Sequence, residues 1–176
     1  MTTERKYKFN WDTSIGNLDI ARTSLGPLTR VEVYRLFQFT LRDVLEQHYG
    51  ADQSDALLRE AGVLAGNAFF KQFCADVKDF SALVQRLQSL FKEMKIGILR
   101  LEKTDLENFE FMLTVDEDLD CSGMPDTSDV VCVYDEGLIQ GILEAFTHKK
   151  FTVREVDCWC TGDRTCRFKA GIDAQG

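Results

Sequence analysis

The cysteines constrain the fold of this chain more than any other feature, because five of the six lie in the last third of the sequence. The run Cys158-Trp-Cys160-Thr-Gly-Asp-Arg-Thr-Cys166 places thiols at both ends of a short turn. The end of one strand and the start of the next then present thiolates to the same small volume. This arrangement is typical of a metal-binding knuckle, whereas Cys74 stands alone and is expected to be a small buried apolar residue.

A structural zinc ion requires four nitrogen, sulfur or oxygen donors at tetrahedral positions, and four protein ligands leave no open position for a substrate. The turn offers Cys158 and Cys166. The remote donors are expected to be Cys132 together with either Cys121 or a carboxylate of the acidic loop between them. Cys160 lies between these two cysteines in the same turn.

The loop of residues 116–129 is rich in carboxylates. Its acidic residues Asp116, Glu117, Asp118 and Asp120 do not follow the register of a calcium-binding loop. We therefore expect this loop to be a solvated surface segment.

Composition indicates one compact globular domain without nucleic acid as a direct partner. The 176 residues are 44% hydrophobic, and the formal net charge of -8 comes with scattered rather than clustered basic residues. The first residues contain no apolar run as long as that of a signal peptide. No apolar stretch elsewhere in the sequence is long enough to cross a membrane. The expectation is a cytoplasmic protein without a membrane span.

Hydrophobic periodicity predicts an α+β fold in which helices pack on one antiparallel sheet of four or five strands. Residues 1–26 are expected to form an arm with one short strand at about 15–20, and residues 27–176 a single domain. The predicted elements of that domain are helices over 29–49, 54–73 and 79–96, a hairpin over 96–116, a helix over 133–146 and a second hairpin over 151–170. Thr29 with Glu32, Ser54, and Asp79 or Ser81 are the predicted helix caps.

The second predicted helix carries a strip of small residues at helical spacing: Ala61, Gly62, Ala65 and Gly66. Such a strip allows the backbone of another helix to approach closely. The apolar residues of the first two helices exceed what one sheet face can cover, which predicts a homodimer through helix surfaces in the region of residues 30–73.

The C-terminal part resembles the 4-vinyl-reductase domain family, through DVVCVYDEGLIQGIL followed by EVDCWCTGDRTCRF. In that family a cysteine opens a glycine-bearing helix, and a strand then leads through a cysteine and a Gly-Asp turn into Cys-Arg-Phe. The positions that match here are Cys132, Gly137, Glu155, Cys158, Gly162, Asp163 and Cys166. The resemblance is specific over residues 109–170 and implies an architecture like that of TRAPP vesicle-tethering subunits.

The resemblance also implies a zinc site, because sensor domains of aromatic-responsive transcription activators in the same group bind zinc through three cysteines and a carboxylate. The three cysteines correspond to Cys132, Cys158 and Cys166. Cys121 is the fourth ligand that we select, with Glu110, Asp116 and Glu117 as the carboxylate alternatives.

The function that the resemblance implies is the binding and sensing of a small hydrophobic or aromatic molecule, hydrocarbons included, by a dimeric accessory or regulatory protein. The residues expected to line the pocket are Phe37, Gly62, Gly66, Phe69, Phe70 and Gly137. Two alternatives stay open: a vinyl-reductase-like enzyme or accessory factor of tetrapyrrole biosynthesis, and a dimeric assembly scaffold.

Nothing in the sequence favours catalysis. His48 and His148 lie at predicted helix ends and away from any Ser or Cys signature, so no nucleophile and base pair is identified. No phosphate-binding loop is present, and the glycines at 137 and 141 lack the strand and loop setting of a dinucleotide site. We therefore predict no catalytic residues.

Overall fold

A computed structural model describes residues 5–127 and 129–172. The described elements are α1 (Trp11–Ser14), α2 (Leu18–Ala21), α3 (Val31–Tyr49), α4 (Ala51–Phe73), α5 (Phe80–Glu93), β1 (Ile98–Asp105), β2 (Glu110–Asp116), α6 (Val133–Thr147), β3 (Phe151–Asp157), a 3-10 turn (Trp159–Thr161) and β4 (Cys166–Ile172). The predicted α+β class is confirmed: helices cover one four-stranded antiparallel sheet of order β1-β2-β4-β3.

The N-terminal arm differs from the prediction. The short strand expected at about 15–20 is wrong, because α1 and α2 are single helical turns. Asn10 begins α1 by accepting a hydrogen bond from the backbone N–H of Thr13. Trp11 then packs edge-on against Phe73 of α4, with ring centroids 5.4 Å apart, so the arm lies against the domain.

Only one of the predicted helix caps is confirmed. Asp79 caps α5 by accepting the N–H of Ala82. α3 follows Arg30 without any side-chain cap, so the predicted Thr29 and Glu32 capping box is wrong. Ser54 lies inside α4, buried, and its hydroxyl donates to the carbonyl of Gly50.

The sheet supplies one face of the core. Its inward residues include Phe111, Leu113, Val153 and Phe168, all at most 5% exposed. β3 and β4 pair with a one-residue irregularity between Glu155 and Asp157, immediately before the cysteine turn. Such bulges bend a strand and redirect its end, which here leads the chain away from the ladder into Cys158.

α6 is the central helix of the domain, covered by β3 and by α4. Its buried residues occur all around its circumference, including Val133, Leu138, Ile139, Ile142 and Leu143. A helix that is apolar all round is a buried helix. The cysteine at its start, Cys132, is therefore held in the interior.

Four glycines allow α4 and α6 to touch backbone to backbone. Gly62 faces Gly137, and Gly66 faces Gly141. A Cβ added at Gly62 would overlap the carbonyl oxygen of Tyr134, and one at Gly66 would overlap that of Leu138. The predicted close approach at the small-residue strip is confirmed, and the strip's partner is α6.

Across the described part of the chain, the helices are too short or too polar to traverse a lipid bilayer.

Candidate metal centre and ligand cavity

Four cysteines from separate parts of the chain meet in the interior. Cys121 follows β2, Cys132 precedes α6, Cys158 follows β3 and Cys166 begins β4. All four side chains are fully buried, and their sulfur atoms lie within 4.8 Å of one another. The structure thus brings together the four residues selected from the sequence, and the group could hold a metal ion.

The sulfur distances fit a tetrahedral centre. Cys132 Sγ lies 3.7 Å from Cys166 Sγ, and Cys158 Sγ lies 3.9 Å from Cys121 Sγ. Four sulfurs at about 2.3 Å from a zinc ion would be separated by about 3.8 Å. Cys121 and Cys166 are closer, at 3.1 Å, and both are free thiols rather than a disulfide.

The loop around the 3-10 turn fixes Cys158. The backbone N–H of Cys158 donates to the hydroxyl of Thr161, and the carbonyl of Cys158 accepts from the N–H groups of Thr161 and Asp163. Gly162 follows with φ of 97°, a conformation that favours glycine. Cys160 is buried in the same turn but lies outside the four-sulfur group.

The pKa of Cys158 is shifted in the opposite direction from the pKa values of Cys132 and Cys166. Hydrogen bonds from the Cys121, Cys132 and Cys166 thiols lower the pKa of Cys158. The pKa values of Cys132 and Cys166 are raised, first through their hydrogen bonds with Cys121 and then, among further causes, by burial. A bound cation would instead favour the thiolate at every position, because the thiolate is the form that binds metals.

The carboxylates considered as alternative fourth ligands lie elsewhere. Glu110 and Glu117 are exposed. Asp116 pairs with Arg100 and accepts a hydrogen bond from Thr165. None of the three belongs to the groups of clustered donor atoms among the described residues.

Two residues of the acidic loop contradict the expectation of a solvated segment. Asp118 and Asp120 are 2% and 1% exposed. The loop folds inward because Arg35 of α3 donates to the carbonyls of Leu119 and Ser122, at 2.7 and 2.9 Å. Asp120 also accepts hydrogen bonds from Tyr34 and Gln38.

Buried carboxyl groups surround the cysteines, and sequence reasoning missed them. Burial, followed by the charge of Asp120, raises the pKa of Asp118 to about 7. Burial raises the pKa of Asp135 as well, and burial followed by the charge of Cys158 raises that of Glu155 to about 8. The sequence signals were the matching position of Glu155 in the family pattern, the placement of Asp118 and Asp120 within three residues of Cys121, and that of Asp135 three residues after Cys132.

Glu136 connects α4, α6 and β3. Its carboxylate pairs with Arg59 of α4 at 2.6 Å and accepts the backbone N–H of Glu155 at 2.8 Å. The Glu155 carboxylate accepts the backbone N–H of Cys132 at 3.0 Å. This chain of hydrogen bonds fixes the start of α6 relative to the strand that leads to Cys158.

An apolar cavity of about 280 Å³ lies beside the buried carboxylates. It is enclosed by the N-terminal arm, α3, α4, α6 and the loops after α5 and β2. Its wall consists of Phe9, Trp11, Ile15, Tyr34, Ala65, Phe69, Met94, Ile96, Leu119, Asp120, Tyr134, Asp135 and Leu138. The lining is thus largely apolar, with two carboxyl groups and two phenols among it.

The predicted pocket residues have different positions. Phe69 lines this cavity, and Phe70 lines a separate groove with residues of the arm. Gly62, Gly66 and Gly137 lie at the contact of α4 with α6, where the opposing backbone fills the space. Phe37 is 67% exposed on α3. A glycine strip indicates close backbone packing as readily as a cavity, and sequence alone did not distinguish them.

The fold is an α+β domain like that of the TRAPP subunits. Subunit 3 of the trafficking protein particle complex from Naegleria fowleri, bound covalently to palmitic acid, superposes with a TM-score of 0.64 at 14% identity, covering 81% of this chain and 95% of that one. Residues 111–172 match the family model of the 4-vinyl-reductase domain. This match confirms the resemblance predicted from the sequence.

Other similar proteins agree with this assignment. A vinyl-4-reductase family protein from Methanocaldococcus jannaschii has a TM-score of 0.63 at 17% identity, covering 96% of this chain and 99% of that one. The phenol-responsive sensory domain of the transcription activator PoxR, bound to phenol, has a TM-score of 0.65 at 14% identity, covering 85% and 78%. An uncharacterised Methanocaldococcus jannaschii protein is 27% identical over 148 residues, which are 84% of this chain and 81% of the relative.

Proposed function

We propose that this protein binds a small hydrophobic or aromatic molecule in the apolar cavity and acts as a sensing domain with a structural zinc centre. The observation that carries the proposal is the apolar cavity, whose wall also contains Tyr34, Asp120, Tyr134 and Asp135. A mostly apolar pocket with a few convergent polar groups is typical of a small-molecule site. The shared fold with a phenol-responsive sensory domain supports the same function.

The size of the cavity favours a ligand with a single ring. Its volume of about 280 Å³ lies at the low end of the roughly 300–1,000 Å³ that is usual for ligand pockets. Tyr34 and Gln38 already donate to Asp120, and Asp135 is the second carboxyl group in the wall. A ring that carries one donor group therefore fits better than a tetrapyrrole, which counts against the vinyl-reductase alternative.

A matching ligand should raise the melting temperature of the protein. A ligand held only by the native state adds RT ln(1 + [L]/Kd) to stability, about 2.7 kcal/mol at a hundredfold excess over Kd. Thermal unfolding with toluene, phenol, aniline and a vinyl tetrapyrrole should show a larger shift for the single-ring compounds. No shift with any of them would contradict ligand binding, and a shift with the tetrapyrrole alone would restore the tetrapyrrole alternative.

Filling the cavity should abolish that shift without affecting the metal. Ala65 lines the cavity, so Ala65→Leu should remove most of the available space. Ala56→Leu is a matched control, because Ala56 is exposed on the same helix. We expect the ligand-induced shift to be lost in Ala65→Leu and retained in Ala56→Leu, with equal metal content in both. Equal shifts in the two variants would place the ligand elsewhere.

Zinc is the metal that we propose for the four cysteines. The four donors are thiolates, which select zinc, copper(I) or iron–sulfur clusters, and tetrahedral four-sulfur geometry is typical of structural zinc. With all four positions filled by Cys121, Cys132, Cys158 and Cys166, the ion would fasten the cysteine turn and the β2 loop to the start of α6. It would thereby fix the wall of the cavity, since Asp120 and Asp135 lie close to two of these ligands in sequence.

A second copy of this chain is the proposed partner of α3. The helix has no buried residues, and an apolar stripe along it is exposed: Val33 58%, Leu36 68%, Phe37 67%, Leu41 39% and Val44 48%. Contiguous exposed apolar surface of this kind marks an interaction site. The stripe supports the predicted dimer through residues 30–73 and the assembly role that goes with it.

Charge in the stripe should prevent dimer formation. We expect a dimer at micromolar concentration in sedimentation velocity, and a monomer for Phe37→Glu, because the interface would bury an unpaired charge. Gln47→Glu, at an exposed polar position of the same helix, should remain dimeric. A monomeric native protein would end the dimer proposal.

A further inference from the structure

A second group of side chains that can coordinate a metal ion lies next to the four cysteines. One oxygen of Asp118, the sulfur of Cys132 and one oxygen of Asp135 all lie within 4.8 Å of one another. Asp118 and Asp135 are 2% and 7% exposed, and Cys132 is fully buried. Cys132 is also a member of the four-cysteine group, so the two groups share one sulfur atom.

One carboxylate oxygen of Asp118 lacks a hydrogen-bond donor among the described residues. Its Oδ1 accepts the backbone N–H of Asp120 at 2.7 Å and the thiol of Cys132 at 3.9 Å. Within residues 5–127 and 129–172 its buried Oδ2 accepts no hydrogen bond of good geometry, and the carboxyl group of Asp135 is its side-chain neighbour. Buried polar atoms are nearly always paired, and buried charges are paired with an ion or coordinate a metal. An unpartnered carboxylate oxygen beside a thiol and a second carboxylate indicates a missing cation.

The neighbouring basic side chain does not supply that cation. Arg35 donates to the backbone carbonyls of Asp118, Leu119 and Ser122. In the described part of the chain, no salt bridge reaches Asp118, Asp120 or Asp135. Filling the four-cysteine group with zinc would add negative charge nearby, since four thiolates outweigh one divalent ion.

We propose that Asp118, Cys132 and Asp135 bind a second divalent cation of the zinc type, with the Cys132 sulfur bridging the two ions. Mixed oxygen and sulfur donors suit zinc. Three protein ligands leave one coordination position open, unlike the four-cysteine site. Asp135 also lines the apolar cavity, so the open coordination position borders that cavity. The bridge rests on the zinc centre proposed above, but the Asp118 and Asp135 donors do not.

Cadmium-113 substitution of the full chain tests this site directly. With saturating cadmium, native mass spectrometry should count two ions per chain, and NMR should show two cadmium resonances. One resonance should have the shift of all-sulfur coordination, and the other that of mixed oxygen and sulfur coordination. A cadmium–cadmium coupling between them would report the bridging Cys132 sulfur. A single all-sulfur ion per chain would overturn the proposal without the need for any variant.

Reciprocal variants distinguish the two centres. Asp118→Asn and Asp135→Asn should each lose only the mixed resonance and hold one ion, whereas Asp126→Asn, on the exposed surface, should keep two. Two ions retained in both Asp118→Asn and Asp135→Asn would overturn the assignment. A native protein with the mixed resonance but without the all-sulfur one would support this site and contradict the proposed zinc centre.

Discussion

Replacement of Cys158 by serine should release the zinc ion and leave the domain largely unfolded at 37 °C. Structural zinc sites supply about 10–16 kcal/mol of apparent binding free energy in zinc-finger peptides, and the whole stability of a domain is about 5–15 kcal/mol. Cys158 is fully buried, and its sulfur would both bind the ion and fasten the cysteine turn to the other three cysteines. A serine hydroxyl cannot take either role.

Circular dichroism with and without a chelator would measure this effect. The native protein should lose stability when the chelator is added, and Cys158→Ser should resemble the chelated native protein. Cys74→Ala is the matched control, because Cys74 is equally buried but belongs to neither group of potential metal ligands. It should lose only packing energy and keep its metal. Equal melting temperatures for native protein and Cys158→Ser would rule out a structural role for the ion.

The substitution Gly66→Ala, which adds one methyl group, should destabilise the domain almost as much as the truncation of a large buried side chain to alanine. The added Cβ would overlap the carbonyl oxygen of Leu138 and lie 2.9 Å from the backbone nitrogen of Ile142. Overpacking usually costs about 1–3 kcal/mol. We expect about 3 kcal/mol or more for Gly66→Ala, because the obstructing atoms belong to a helix backbone and cannot rotate away as a side chain would.

The control for this substitution is Gly171→Ala. Gly171 lies in β4, and a Cβ there meets no atom within 4 Å. Gly171→Ala should be neutral or slightly stabilising, since alanine reduces the freedom of the unfolded chain. Urea unfolding of both variants measures the difference. A loss below about 1 kcal/mol for Gly66→Ala would mean that α4 and α6 separate at little cost and that the contact is looser than the structure shows.

Periodicity and residue type were sufficient to predict most of the architecture. The four long helices, both hairpins and their order are confirmed, because each carries an apolar pattern of helical or strand period. The short strand predicted in the N-terminal arm was wrong, since the two four-residue helices found there contain too few residues for a period to show. The predicted caps of α3 and α4 were wrong, because α3 begins after Arg30 without a side-chain cap and α4 begins at Ala51, three residues before Ser54.

The cysteines of the candidate site could be predicted from the sequence, because few residue types bind zinc. The buried carboxyl groups could not, because their positions depend on tertiary contacts. Cys121, Cys132, Cys158 and Cys166 were selected from residue type and order, and the structure brings them together. Asp118 and Asp120 were expected in solvent, because a run of acidic residues usually remains on the surface. Their burial depends on Arg35 and Tyr34 of α3, more than 80 positions away in the sequence. A local pattern of residue types does not predict such long-range contacts.

The most direct test of the zinc centre is native mass spectrometry of the protein purified under reducing conditions without added metal. The expected result is zinc on every folded chain. A variant in which Cys121, Cys132, Cys158 and Cys166 are all serine should carry none at the four-cysteine site. A native protein that is folded and metal-free under these conditions would contradict the zinc centre and the role assigned to the four cysteines.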